Sequence, residues 1–581
     1  MYPATIFNWH DNSGIETATS LQNSTAPLFM QVFSADKGTE DLIEISGSDF
    51  NAMYGTMNFD KHGQSAIQAQ NIIDAGGRLF AKRVVATDST LANVVLTATV
   101  SSDTEGEVTV TWKSQSIENC KTFDEVVSAA NELLDEEAGV YPIFVYTDNG
   151  RGKSGKAVRL TPDYSASKTI GKTFYVLDVL EGTIITEKVS ITVDPTVIYN
   201  NKAFRLDKYT NVQISGEVIE TAFDLYVDAV AEALGADAAT LRNYDLVYGY
   251  TNRGNAIEGF TLNTESVDLN ADLGIALESG DNGEFGDAPV NTQAWIDAIV
   301  EVFANEQGDH DEVFDVDQHK IAIICDANYP IEIKNAIYDF VTFREDCVFL
   351  RDYGLDLTTF LEIKNYKDTL EQEQHGGNKF VADYCTSYLI QDPLTKKNIK
   401  VTMTYDMAAL LVNHIQNNPY APLAGTANGF ILPSAIKGSI SYTPVNTPKA
   451  NQKEAMDNLR VNYAIFEDNN CVVQSTYSSQ DAYTQLSYIS NTIAIQRVMR
   501  AVRTACPRQR YSLSTGTDLN NYATAVNNVL SNYTSNFSTL NFVYVQDDLR
   551  ASQKIFYASI EFAFLNWAQT EIFDIYAINN Q

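Results

Sequence analysis

The chain is 581 residues long, 44% hydrophobic and 11% aromatic, with a formal net charge of −35. Its apolar content supports packed cores and excludes a disordered chain, and at roughly 150 residues per domain its length points to about four domains. The acidic balance excludes a nucleic-acid-binding or anionic-membrane-binding surface over most of the molecule, because both need Lys and Arg.

Residues 1–9 read as a β-strand that is apolar on both faces. Tyr2, Ala4 and Ile6 alternate with Pro3, Thr5, Phe7 and Trp9. Such a strand is an aggregation hazard if left at an edge. Either the chain's own sheet or a neighbour's sheet must capture it, the latter by strand addition. The start, Met1-Tyr-Pro-Ala-Thr, has no basic n-region and no apolar h-region, so synthesis in a cytoplasm is expected. A polar linker over 11–25 comes next. Leu28-Phe-Met-Gln-Val-Phe33 predicts a buried strand, Ser46-Gly-Ser-Asp-Phe50 opens a short helix, and 64–74 predicts a helix stopped by Gly76-Gly77. Leu79-Phe-Ala-Lys-Arg-Val-Val85 predicts the next strand. This β-α-α-β order begins an α/β layer.

From about 94 to 291 the texture turns to Thr, Val, Asp and Gly in alternation, as in Glu107-Val-Thr-Val-Thr-Trp112 and Lys188-Val-Ser-Ile-Thr-Val193. Helices interrupt near 123–134 and 222–234. The block reads as an insertion of one or two strand-rich domains. After it, 295–303 predicts a helix and Ile321-Ala-Ile-Ile-Cys325 a fully buried strand. Ile333, Ile337, Phe340 and Val341 mark one helical face, and Val348-Phe-Leu350 is a strand, so a right-handed βαβ unit with parallel strands is expected. From Lys453 the pattern is a hairpin around Asp468-Asn-Asn470, one long helix over 480–506 stopped by Pro507, a second over 518–532, and strands over 542–546 and 555–564. The end is again apolar on both faces: Ile572, Tyr576 and Ile578 on one, Phe573, Ile575 and Ala577 on the other.

Catalytic chemistry finds little support. Gly152-Lys153-Ser154 comes after an apolar strand, but Thr147 stands where a phosphate loop needs its first glycine, and Gly155-Lys-Ala-Val-Arg-Leu160 reads as strand, not helix. A glycine-rich turn is the expectation. The stretch 309–319 is acidic with two histidines and lacks EF-hand spacing. A solvated loop is the plain reading and a weak cation site at a subunit contact the other. The six cysteines are scattered singly, which predicts buried free thiols. No catalytic residue, cofactor-binding residue or metal ligand is assigned, and no stretch approaches the ~20 apolar residues of a membrane span. Arg497, Arg500 and Arg503 form a basic stripe at helical spacing in an acidic chain. It reads either as a solvated helix face favoured by the C-terminal dipole or as a docking surface for an acidic partner.

Taken in order, these pieces resemble the contractile tail sheath family of bacteriophages and related injection systems. The resemblance is carried by Leu28-Phe-Met-Gln-Val-Phe, by Gly76-Gly-Arg-Leu-Phe-Ala-Lys-Arg-Val84, by Gly150-Arg-Gly-Lys-Ser-Gly155, by Glu187-Lys-Val-Ser-Ile-Thr-Val-Asp-Pro195, by Asn418-Pro-Tyr-Ala-Pro-Leu-Ala-Gly-Thr-Ala-Asn-Gly429 and by the order of elements over 453–578. It implies a multidomain chain of α/β and α+β parts: an N-terminal linking arm (1–20), an α/β core in two parts (21–93 and 291–452), inserted strand-rich outer domains (94–290), a tube-facing domain (453–568) and a C-terminal linking arm (569–581). The implied arm residues are Tyr2, Ile6, Phe7, Trp9, Ile572, Phe573, Ile575, Tyr576 and Ile578, with host strands near 542–546 and 555–564. Arg497, Arg500 and Arg503 would face the tube or a neighbour. The implied partners are further copies of the chain in helical stacks of hexameric rings, a tail tube protein, and baseplate and tail terminator or neck proteins. There would be no cofactor, direct nucleic-acid contact or membrane insertion, and the setting would be a virion tail assembled in a bacterial cytoplasm. A sheath from a bacterial injection device, another virion or cell-surface lattice subunit, and a cytoplasmic multidomain enzyme are the alternatives.

Overall fold

The computed structural model describes residues 28–565 except 48, 104–105, 195–197, 200–201, 204–213, 305–310, 317, 418–420, 448–449, 506–515, 535–536 and 546–556. The described residues open with β1 (Leu28–Phe33), β2 (Ile43–Ile45), α1 (Asp49–Tyr54), α2 (Phe59–Asp74) and β3 (Arg78–Arg83). β1 and β3 are parallel, with Leu28 opposite Arg78 through Phe33 opposite Arg83. Helix α2 begins earlier than its apolar spacing predicts. Asn58 caps an extra first turn by accepting from Asp60 and Lys61, and Gly63 at φ 71° then kinks the helix where a longer side chain would be strained.

The insertion contains β4 (Asn93–Ser102), β5 (Val108–Gln115), α3 (Phe123–Asn131), β6 (Val140–Asp148), β7 (Lys156–Pro162), β8 (Tyr175–Glu181), β9 (Ile184–Ile191), β10 (Ile214–Val218), α4 (Glu220–Leu234), β11 (Phe260–Asn263) and β12 (Ile275–Ala276). They form a five-stranded sheet, β10-β6-β4-β5-β11, and a four-stranded sheet, β12-β7-β8-β9. Both sheets and α4 share one buried cluster that includes Trp112, Phe144, Leu177 and Tyr226, so the insertion is a single packed unit.

The chain then returns with α5 (Gln293–Phe303), β13 (Ile323–Cys325), α6 (Ile331–Arg344), β14 (Val348–Asp352), α7 (Phe360–Gln372), β15 (Val381–Tyr384), the hairpin β16 (Ser387–Gln391) and β17 (Asn398–Thr402), α8 (Thr404–Asn417), α9 (Gln452–Asn458), β18 (Val461–Asn462), and the hairpin β19 (Ala464–Glu467) and β20 (Asn470–Val473). Among the described residues the core sheet has seven strands in the order β2-β3-β1-β13-β14-β15-β18. All are parallel except β2, which runs against β3. The expected βαβ unit is present, with Ile323 opposite Val348. β13 and β14 are buried along their length, which is why they read as unbroken apolar runs.

Two expectations near the C-terminus change. The run 461–466, expected as the first strand of the hairpin around Asp468-Asn-Asn470, divides in two. Val461 and Asn462 pair with Asp383 and Tyr384 of β15. The Asn462 amide then takes both backbone bonds of Tyr477 and ends the run, and β19–β20 pack into the same cluster as β1 through Ala464, Cys471 and Val473. The helix predicted from 480 begins only at Ile489. Before it, the Thr484 and Ser487 side chains bond each other's backbone N–H and Ser478 donates to Leu486 O, so short polar side chains close a turn instead. Helix α10 (Ile489–Ala505) and α11 (Gly516–Ser531) carry the antiparallel ribbon β21 (Phe537–Val545) and β22 (Tyr557–Phe564). Their core is Val498, Val526, Leu530, Phe537 and Phe564. The five cysteines within the described residues are free and buried, as expected.

Candidate functional site

In a parallel sheet of this kind, ligands bind outside the carboxyl ends of the strands, where the winding direction reverses. Here that point lies between β1 and β13, since β3 and β14 stand on opposite sides of the pair. The carboxyl ends carry charge: Arg83 ends β3, Asp326 comes directly after β13, and Arg351 and Asp352 end β14. The sequence signal was there, a charge closing an apolar run, but nothing in the sequence paired these residues.

Lys334 of α6 is buried between two carboxylates. Its Nζ lies 3.0 Å from Asp326 and 2.6 Å from Asp352. Burial and the neighbouring Asp352 charge push Asp326 well above the usual carboxylate range. Burial opposes ionisation of Asp352 too, but the Lys334 charge holds it below that range. A second buried group stands beside it: Arg351 donates to Asp383 at 2.7 Å, with Tyr353 and Lys367 on the other carboxylate oxygen.

Charged, dry constellations of this kind serve catalysis when a substrate can reach them. These are sealed by the chain itself. Asp352 accepts from Thr402 at 2.9 Å, and Thr402 in turn takes Gln64, so the β16–β17 hairpin, α8 and α2 close over the triad. On the other side the insertion closes the crevice. Buried Arg83 donates to Ala35 O, Gly38 O and Arg151 O. The last of these belongs to the Gly150–Gly155 turn. A Cβ on Gly150 would lie 1.9 Å from Gly38 O, so glycine is required where the turn meets the core. Arg151 adds hydrogen bonds from Nε and Nη2 to Glu40, and Lys37 pairs with Glu181. The cavity left at this junction is about 30 Å³, too small for an organic substrate. The glycine-rich turn is therefore a docking element. Lys153 pairs with Asp287 at 2.9 Å, Ser154 donates to Asp148, and Lys156–Pro162 is strand.

The described part of the acidic stretch is pinned to the core. Val313 is buried, His319 meets Phe80 edge-on, and Arg344 donates to Val313 O and His319 O. Among the described residues, no group of three or more His, Cys, Asp or Glu could hold a metal ion.

The arginine stripe divides. Arg497 donates to Ile415 O at 2.9 Å and Arg500 to Asp346 O at 2.7 Å, so both clamp α10 onto the core. Arg503 is 43% exposed with Asp346 3.8 Å away. The arm residues Tyr2, Ile6, Phe7, Trp9, Ile572, Phe573, Ile575, Tyr576 and Ile578 lie outside the described residues. The strands expected to host such arms form the β21–β22 ribbon, in register from Phe537 opposite Phe564 to Val545 opposite Tyr557. One face, with Phe542 and Phe562, packs toward the helices; the other carries Thr539, Asn541, Ser559 and Glu561. Among the described residues each of the two strands pairs only with the other.

No protein-family model matches the chain, and no curated protein matches it in sequence. Solved structures do. It is similar to a sheath tail protein from Listeria innocua (9% identity, TM-score 0.48, covering 93% of this chain and 95% of that one). It is similar to a sheath tail protein from Desulfitobacterium hafniense (10% identity, TM-score 0.42, 92% and 96%). A third is the sheath complex of an extracellular contractile injection system in its contracted state (14% identity, TM-score 0.35, 48% and 79%). Among the described residues, no helix is long and apolar enough to cross a membrane.

Proposed function

We propose that this chain is the structural subunit of a contractile tail sheath. Copies polymerise as helical stacks of hexameric rings around a tail tube, and contraction drives the tube through a host envelope. The observation that carries the reading is the β21–β22 ribbon. Two-stranded ribbons are marginal alone, and an unpaired strand edge is a template for another chain. The chain's two terminal segments are the right occupants, since the sequence of each reads as a strand apolar on both faces. The α10–α11 module then faces the tube, the insertion faces outward, and baseplate and terminator proteins cap the stack. Assembly takes place in the bacterial cytoplasm and the product is a virion tail. Energy for contraction comes from new subunit contacts. The sealed crevice supports a non-enzymatic role over the multidomain-enzyme reading, because its charged groups are committed to joining the chain's own elements.

The test is negative-stain electron microscopy and pelleting of the full chain over a concentration series, beside versions lacking residues 1–9 or 570–581. The full chain is expected to form hollow tubes, alone or once tube protein is added. Each truncation is expected to stay a folded monomer. Tubes from both truncations would overturn the arm exchange, and no polymer from the full chain with tube protein present would overturn the sheath reading.

A further inference from the structure

The joint between core and insertion leaves a cavity of about 30 Å³ just past the carboxyl ends of β1 and β3. Ser34 continues the alternation by which Met30 and Val32 of β1 face the cluster that holds Phe285, and Ser34 and Phe285 both line the cavity. Ser34 is 3% exposed, and among the described residues its Oγ has no hydrogen-bond partner. A buried hydroxyl left unbonded is costly, which points to an occupant of the cavity that bonds it.

Arg83 lines the same cavity and is buried. A guanidinium has five N–H groups. Those of Arg83 that are spent go to Ala35 O, Gly38 O and Arg151 O, all uncharged acceptors, and the others remain free to donate. Among the described residues no carboxylate pairs with it, and burial pulls its guanidinium below the ordinary arginine value. The carboxylates that act on it through space belong to other cations: Arg151 lies 2.7 Å from Glu40, and Lys156 lies 2.6 Å from Asp148. The two carboxylates that line the cavity are taken as well. Asp36 is 3.2 Å from His62 and 3.5 Å from Lys61, and Asp287 is 2.9 Å from Lys153. Arg83 is therefore a buried positive charge without a counter-ion at a joint whose other charges are matched, and such a charge is expensive to leave bare.

The cavity has room for about one or two water-sized species. Water satisfies Ser34 and leaves the charge of Arg83 uncompensated; a monatomic anion satisfies both. We infer that the cavity is a chloride site, in which the anion accepts from Ser34 Oγ and from the free N–H groups of Arg83 and fastens the insertion to the core. The site belongs to the single chain, whatever that chain assembles into.

The test follows unfolding of the full chain in sodium chloride and in sodium gluconate at matched ionic strength, so that screening is equal and only the small anion fits the cavity. An anion bound by the folded chain alone raises the midpoint by mass action. The midpoint is expected to climb saturably with chloride and not with gluconate. Ser34→Ala is expected to raise the half-saturating chloride concentration several-fold. Hydrogen exchange places the effect: exchange over 34–40, 150–156 and 282–289 is expected to quicken when gluconate replaces chloride. Equal midpoints in the two salts, or a chloride effect that Ser34→Ala leaves unchanged, overturns the site. Crystals of the full chain soaked in sodium bromide give the check that needs no variant. A bromide anomalous peak beside Ser34 and Arg83 is expected, and an ordered water there without anomalous signal overturns the anion.

Discussion

The core sheet and the C-terminal ribbon spend their hydrogen-bonding capacity in opposite ways. In the core, seven strands are paired, the charges at their carboxyl ends are matched inside the fold, and the outer edge at β18 is covered when Asn462 takes the Tyr477 backbone. Among the described residues the ribbon has two strands, one apolar face against α10 and α11, and a mixed outer face on which Val543 stands exposed among Thr539, Asn541, Ser559 and Glu561. The first is finished within one chain. On the proposed sheath reading the second is finished by another, and local stability should divide the same way.

The largest effect is expected where the core is most tightly closed. Lys334→Met leaves Asp326 and Asp352 facing each other without their cation, and removing one partner of a buried charge group costs about 3–5 kcal/mol. Chemical denaturation should show the core transition falling by that order, and an unchanged midpoint would mean that the triad does not hold the core together. In the other region, Leu530 is 2% exposed within the α10–α11–ribbon cluster. Leu530→Ala should cost about 2–5 kcal/mol, and hydrogen exchange should show the loss confined to 489–564. Faster exchange in β1, β13 and β14 as well would deny the two regions their independence.

The contrast was only half visible in the sequence. The parallel strands were legible because burial on both faces leaves unbroken apolar runs, as in Ile321–Cys325. The ribbon was legible as two strands because its apolar residues alternate. The charge networks were not, since Asp326, Lys334, Asp352 and Thr402 meet only through the fold. Arg497 and Arg500 read as part of an exposed stripe because helical spacing shows which face they share and says nothing of what packs on it. The helix start at Ile489 was hidden by Thr484 and Ser487, whose side chains bond the backbone locally and outweigh a helix-compatible pattern.

A pH series sharpens the comparison further. Asp326 in the core is raised to about 7, chiefly by burial, and Asp245 in the insertion to about 6 by burial, with Tyr175 hydrogen-bonded to it at 2.8 Å. An unfolded Asp ionises near pH 4. Between about pH 4 and 7 the folded chain therefore holds protons that the unfolded chain has lost, and stability falls as pH rises through that window. Asp352 and Asp383, held low by their cations, act the other way and only below the window. Asp326→Asn should flatten the pH dependence of exchange in the core, and Asp245→Asn that in the insertion. Burial holds His414 of α8 low, so it adds stability as pH rises through the same window, and the check is the difference from wild type: an Asp326→Asn core with an unchanged pH dependence would contradict the role of Asp326.

The smallest effect on the folded chain is expected at Arg503, and its smallness is what makes it informative. Its side chain is 43% exposed and its ion pair with Asp346 is long, so solvent and salt screen most of the interaction. Arg503→Glu should shift the melting free energy by less than about 0.5 kcal/mol. Arg500→Ala, which removes a donor to Asp346 O, should cost about 0.5–1.5 kcal/mol or more. If assembly or co-sedimentation with tube protein weakens for Arg503→Glu while the monomer melts as wild type, the outer end of α10 is a contact surface. If both variants change assembly only in proportion to their melts, the basic stripe serves the fold of its own chain and nothing else.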